Sequence, residues 1–184
     1  MQLNSLEGKF NLVSQLLAAR PSADEALSKF KQLMDKDYID YTKVDDALSE
    51  EAEALLELQD IRSSLETFIH NKDVYSKNAI ALAGGFSSGK STFCNKTFST
   101  RDILLPVSIN PETAIPAYVI SGNKAPNAFG LTAAGGLVEL GVDSYRQMNH
   151  DFLKSFGFNL KDLMPSVVIH AEMPKEFEHI CFID

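Results

Sequence analysis

Residues 84–92 read GGFSSGKST, and they follow the apolar run NAIALA at 78–83. Gly84, Gly89, Lys90 and Ser91 fit the pattern G-x-x-x-x-G-K-S/T, a loop that wraps phosphate in backbone N–H groups. Glycines allow the tight turns and the close approach of main chain to anion that such a loop needs. A helix starting near Lys90 aims its positive dipole end at the same point. Lys90 would meet the β- and γ-phosphates as a point charge, and the Ser91 hydroxyl would ligate Mg²⁺. The context agrees: NAIALAGG reads as a fully buried strand and KSTFCNKTF as a helix, so a strand leads into the loop and a helix leaves it. The nucleotide-binding residues are therefore expected to be Gly84, Gly85, Phe86, Ser87, Ser88, Gly89, Lys90, Ser91 and Thr92. A plain glycine-rich turn with a surface lysine would not explain why GKS sits at this offset. The motif does not select a base, because ATPases and GTPases share it.

The composition limits what such a loop can serve. The chain has 184 residues, a formal net charge of -8 and 45% apolar residues, which suits one ordinary domain or a small domain with an appendage. That acidity disfavours general nucleic-acid binding, which depends on Lys and Arg neutralising phosphates. Cys94 and Cys181 form no CxxC pair, which argues against a disulfide framework and for a reducing, cytoplasmic setting. The N-terminus lacks a basic and apolar leader pattern, and no apolar run approaches membrane-spanning length, so any membrane contact is expected to be peripheral.

The chain changes character near residue 75. Residues 1–74 read as an N-terminal helical segment and 75–184 as α/β with a mixed sheet. In the first part, Phe10, Val13 and Leu17 share one helical face. Pro21 ends that helix, and Ser22 with Glu25 has capping-box spacing for the next, whose Leu27, Phe30 and Met34 share a face. YIDYT reads as a connector. Residues 45–71 read as a long amphipathic helix with an acidic outer face carrying Glu50, Glu51, Glu53 and Glu57. In the second part AIPAYVI, GLTAAGGLVEL, SVVIHAE and HICFID read as strands. DSYRQMNHDFLKSF reads as one helix capped by Asp143 or Ser144. Phe152, Phe156 and Phe158 are expected in the core.

After the loop and its helix comes LLPVSINPETAIPAYVI, a proline-rich stretch with Thr113 at its centre. Together with GGFSSGKST it resembles the dynamin superfamily, in particular its bacterial dynamin-like members. The resemblance covers residues from about 75 to 184, and over the first 74 it is only architectural. It implies a partial GTPase (G) domain preceded by helices of a bundle, binding GTP and Mg²⁺. Thr113 would be the switch I threonine, closing on the γ-phosphate and completing the metal shell with Ser91. The final residue of HICFID, Asp184, would be the DxxG aspartate that holds Mg²⁺ through water. Thr113 and Asp184 are 71 positions apart, in keeping with the family's long insertion. On this reading the chain is an N-terminal fragment that stops on that aspartate, and Lys90, Thr113 and Ser87 carry catalysis. The resemblance also implies a homo-oligomer or a partner dynamin-like subunit, and peripheral membrane association coupled to membrane remodelling in the full-length protein.

The sequence departs from the family in two places. Phe86 stands where many relatives have a water-orienting Gln, so either Ser87 and main-chain groups position the water or hydrolysis is slow. The base-reading N/T-K-x-D motif is absent: Asn71-Lys72, Asn95-Lys96 and Asn123-Lys124 have no Asp at the required offset and read as surface polar residues. His70, His150, His170 and His179 form no ligand pair, so a metal site other than Mg²⁺ is not expected. Two other readings stay open: a P-loop ATPase of another lineage, whose acidic strand end CFID would also fit, and a non-catalytic helical interaction module.

Overall fold

The computed structural model describes residues 3–21, 24–43, 48–85, 88–97, 105, 115–122 and 125–184. Its strands are β1 (Asn78–Ala81), β2 (Ala117–Ser121), β3 (Asn127–Leu131), β4 (Leu137–Glu139), β5 (Ser166–Ala171) and β6 (Ile180–Ile183). They form one six-stranded sheet in the order β1-β6-β2-β5-β3-β4. β1 runs parallel to β6 and β2 parallel to β5, whereas β2–β6, β3–β5 and β3–β4 are antiparallel. The fold is therefore α/β with a mixed sheet, as the alternation of apolar runs and helical patterns predicts.

The two-residue period of the strands sorts their side chains between two faces. Ala117, Val119, Val167, Ile169, Ala171 and Phe182 enter the larger core, with Leu12 and Leu16 of the first helix. Ile120, Val168 and Cys181 point the other way into a smaller cluster. Cys94 belongs to the first cluster and Cys181 to the second, so the sheet separates the two free thiols.

The helices are α1 (Leu6–Ala18), α2 (Glu25–Gln32), α3 (Ile39–Thr42), α4 (Leu48–His70), α5 (Lys72–Tyr75), α6 (Lys90–Thr97), α7 (Val142–Arg146) and α8 (His150–Lys154). By internal packing the chain divides into two units, residues 1–20 with 73–184, and residues 21–72. The first carries the sheet and also takes α1. In the second, Leu27 and Met34 are buried and the Tyr38 hydroxyl donates to the Glu51 carbonyl at 3.1 Å.

Several local expectations are corrected. The buried face of α1 is Leu12 and Leu16, while Phe10 and Leu17 are 70% and 55% exposed. Helix α2 is capped by Asp24, whose carboxylate accepts from Leu27 N at 3.0 Å; Ser22 lies outside the described residues. YIDYT is not a connector, because a π-type turn over Leu33–Tyr38 runs directly into α3. DSYRQMNHDFLKSF forms two short helices: Gly141 (φ 71°) precedes α7, and the Asn149 side chain caps α8 by accepting from Phe152 N at 2.9 Å. Of the three phenylalanines placed in the core, Phe152 is buried but Phe158 is 46% exposed. Strand β1, expected to be fully buried, is exposed at all four residues, because among the described strands it lies at the sheet edge, paired with β6 alone.

Candidate functional site

Parallel pairing of β1 with β6 brings their C-terminal ends together, Ala81 opposite Ile183. In open α/β sheets this is the end where loops converge on ligands. Leu82 N still donates to Ile183 O at 3.0 Å, and the chain then leaves the ladder as the glycine loop. At Gly84 an added Cβ would lie 2.8 Å from Ser88 Oγ, so a side chain there would push into the loop. Gly89 has φ +85°, a conformation that penalises any side chain. Its carbonyl accepts from Phe93 N at 2.8 Å, starting the hydrogen bonding of α6. Lys90 folds back over the loop, donating from Nζ to Gly84 O at 3.0 Å and to Gly85 O at 3.1 Å. A cavity of about 410 Å³ lies here, lined by Leu82, Ala83, Gly84, Ser88, Gly89, Lys90 and Phe93.

Asp184 continues the ladder of β6 by one residue. Its N–H donates to Ala117 O and its carbonyl accepts from Ala117 N, both at 3.1 Å. The pair holds its backbone opposite β2 and turns its side chain toward α6. There Oδ2 accepts from Ser91 Oγ at 2.6 Å, a contact between residues 93 positions apart. The other carboxylate oxygen, Oδ1, is buried and has no hydrogen-bond partner among the described residues. A short hydroxyl–carboxylate contact beside a buried, unpaired carboxylate oxygen is a set of hard oxygen donors that suits Mg²⁺. The two expected metal ligands that the structure describes are thus adjacent. The third, Thr113, lies outside the described residues, as do Phe86 and Ser87. Among the described residues no group of three His, Cys, Asp or Glu side chains could hold a metal.

The carboxylate acts on its surroundings. Burial, and then the Asp184 charge, push the Cys94 thiol up to about 12. The same two causes raise the Tyr145 hydroxyl well above its ordinary value, in the same order. Tyr145 sits on α7, far from the motif in sequence, and nothing in the pattern DSYR announces a neighbour of the site. Asn95 is also not the surface residue its sequence suggests. Its side chain pairs with the backbone of Leu105, and Leu105 is fully buried. Asn71 is buried as well, 6% exposed, with its amide donating to Thr67 O at 2.8 Å, while Asn123 and Lys124 lie outside the described residues.

No family model matches the chain, and no curated protein matches it. Among solved structures, two that align with 98% of the chain are each described as an oligomerised bacterial dynamin pair providing a mechanism for the long-range sensing and tethering of membranes. The identities are 18% and 17%, with TM-scores of 0.45 and 0.40. Each alignment covers 26% of the neighbour's chain, so this chain spans about a quarter of their length. No helix among the described residues is long and apolar enough to cross a membrane.

Proposed function

We propose that this chain carries the phosphate- and Mg²⁺-binding half of a dynamin-like GTPase site. The observation that supports it best is the 2.6 Å contact between Ser91 Oγ and Asp184 Oδ2. It joins the hydroxyl expected from the glycine loop to the carboxylate expected from the last strand, two residues that share no local sequence reason to meet. Ser91 and Asp184, with Thr113, would hold Mg²⁺, which when bound neutralises charge on the β- and γ-phosphates. The loop from Gly84 to Thr92 presents N–H groups to the phosphates. Lys90 exchanges its two loop carbonyls for phosphate oxygens. Ser87 and main-chain groups orient water. The water oxygen bonds to the γ-phosphorus as the bond to the β-bridging oxygen breaks, leaving GDP and phosphate with no covalent enzyme intermediate. In the whole protein the cycle would run in an oligomer at a membrane surface and drive its remodelling, a step that rests on the sequence resemblance.

The test is a titration of the chain with fluorescent GTP and Mg²⁺, competed by unlabelled GTP and ATP. Lys90→Ala should weaken binding at least tenfold. Stronger competition by ATP than by GTP would replace this reading with that of an ATPase. Binding that ignores Lys90→Ala would end it.

A further inference from the structure

Among the described residues that line the cavity beside the glycine loop, Phe93 is the one aromatic. It lies three residues after Lys90 on α6, about 4.5 Å further along the helix axis. At that spacing the two side chains are neighbours on the helix surface. The main chain of Phe93 is fixed on both sides. Its N–H donates to Gly89 O at 2.8 Å, and its carbonyl accepts from Thr97 Oγ1 at 3.0 Å. The residue is nonetheless 57% exposed, and its ring pairs with no other ring among the described residues. The cavity of about 410 Å³ falls in the range of sites that hold whole small molecules, roughly 300–1,000 Å³, so it offers more room than phosphate groups at the Gly84–Lys90 end would fill. The polar side chains on its wall are the Ser88 hydroxyl and the Lys90 ammonium, with neither a carboxylate nor an amide among the described lining residues.

We infer that Phe93 is the platform on which the base of the bound nucleotide stacks. The inference rests on the functional reading above and adds a base contact to a site so far built from phosphate and metal contacts. Every base has a flat π face, so an aromatic ring holds it by stacking without reading its hydrogen-bonding edge. Guanine and adenine gain alike from such a ring, and choosing between them falls to groups other than Phe93. Truncating a stacking ring to alanine weakens binding about fivefold or more. Inorganic tripolyphosphate carries the phosphates without a base, so with Mg²⁺ it senses the loop, Lys90, Ser91 and Asp184 but not the ring. Phe93→Leu keeps apolar bulk on the wall and removes the π face. The chain has no tryptophan, so Phe93→Trp places a single indole at the platform, where a stacked purine quenches its emission.

The experiment uses the full chain as wild type, Phe93→Ala, Phe93→Leu and Phe93→Trp, with Lys90→Ala as the control. Each is titrated, in Mg²⁺, with non-hydrolysable GTP and ATP analogues and with tripolyphosphate, and melting temperatures are taken in parallel. Phe93→Ala should weaken both nucleotides about fivefold or more, by the same factor, and leave tripolyphosphate within about twofold of wild type. Phe93→Leu should show most of the same loss. Phe93→Trp should keep nucleotide affinity, and its emission should fall with either nucleotide but not with tripolyphosphate. Unaltered nucleotide affinity in Phe93→Ala overturns the inference. So does equal weakening of tripolyphosphate, which marks a ring that shapes the loop, and so does a loss confined to one purine, which marks reading of the base edge. If Phe93→Ala does not fold, the leucine and tryptophan variants decide. A wild type that binds none of these ligands, or binds them regardless of Lys90→Ala, ends the functional reading and this inference with it. Lys90-dependent binding that ignores Phe93→Ala ends only the inference.

Discussion

Removing the Ser91 hydroxyl tests the site without any ligand. Its Oγ is the only described donor to the Asp184 side chain: Oδ2 receives it at 2.6 Å, and Oδ1 is buried with no partner. That separation lies in the short range of charge-assisted O–H···O bonds. A hydrogen bond to a charged group contributes about 1.5–3 kcal/mol, and its loss costs most when the remaining partner stays buried. In Ser91→Ala both carboxylate oxygens would lack a donor, so the upper end applies, about 3 kcal/mol. For a chain of this size each kcal/mol moves the midpoint by roughly 2–4 °C, which puts the expected fall in melting temperature at roughly 6–12 °C. Ser91→Thr keeps an oxygen at the same branch and should recover most of the loss. The assay is a double-mutant cycle of Ser91→Ala with Asp184→Ala by denaturant melts without nucleotide or metal. A coupling of about 1.5 kcal/mol or more is expected. A coupling under about 0.5 kcal/mol would refute the reasoning, since the two groups would then not rely on each other.

The packing sets three other outcomes. Burial raises the Cys94 thiol from 9.0 to about 12 and Cys181 from 9.0 to about 11, so both should resist a thiol reagent at pH 8 until the chain is unfolded. Stoichiometric labelling of the native chain would contradict that. Because the folded state favours the protonated thiols, their contribution to stability is complete below pH 9.0 and is lost as pH rises from 9.0 through 11 to 12. Melting temperature should therefore drop over that window, and less steeply in Cys94→Ala. Finally, a Cβ at Gly136 would lie 2.7 Å from the Ala19 carbonyl carbon and 2.8 Å from Arg20 N, main-chain atoms that cannot step aside. Gly136→Ala should loosen α1 from the β3–β4 hairpin at a cost of about 1–3 kcal/mol in a thermal melt, and an unchanged midpoint would show that the contact does not hold the helix.

The glycine loop, the strand before it and the helix after it were legible because each depends on local chemistry. Gly84 and Gly89 are placed by backbone conformation, and Lys90 and Ser91 by their offset from them. Three strand readings in the second half were equally local, AIPAYVI, SVVIHAE and HICFID, whereas GLTAAGGLVEL, read as one strand, is the end of β3, a turn with Gly135 at φ 81°, and β4, because its two apolar ends pair with each other as a hairpin. Helix faces were not local. The stripe of Phe10 and Leu17 on α1 is as apolar as the stripe of Leu12 and Leu16, and only the position of the sheet decides which is buried. The exposure of β1 has the same origin: NAIALA is apolar enough for a central strand, but its depth is set by the strand order, which places it at an edge.

The site divides along the same line. Residue types and spacing led to the expectation of a phosphate-cradling loop with Ser91 as a hydroxyl ligand, and the family resemblance led to that of Asp184 at the end of HICFID. Only the tertiary structure brings Ser91 and Asp184 to 2.6 Å, sets Tyr145 within reach of the same charge and turns Asn95 from an unremarkable polar residue into a clamp on Leu105. The reason is physical. A loop's conformation is governed by the torsional freedom of its own residues, which sequence reports directly. A contact across 93 positions depends on the register and direction of strand pairing, here β1 parallel to β6 and Asp184 opposite Ala117, and that is a property of the assembled sheet.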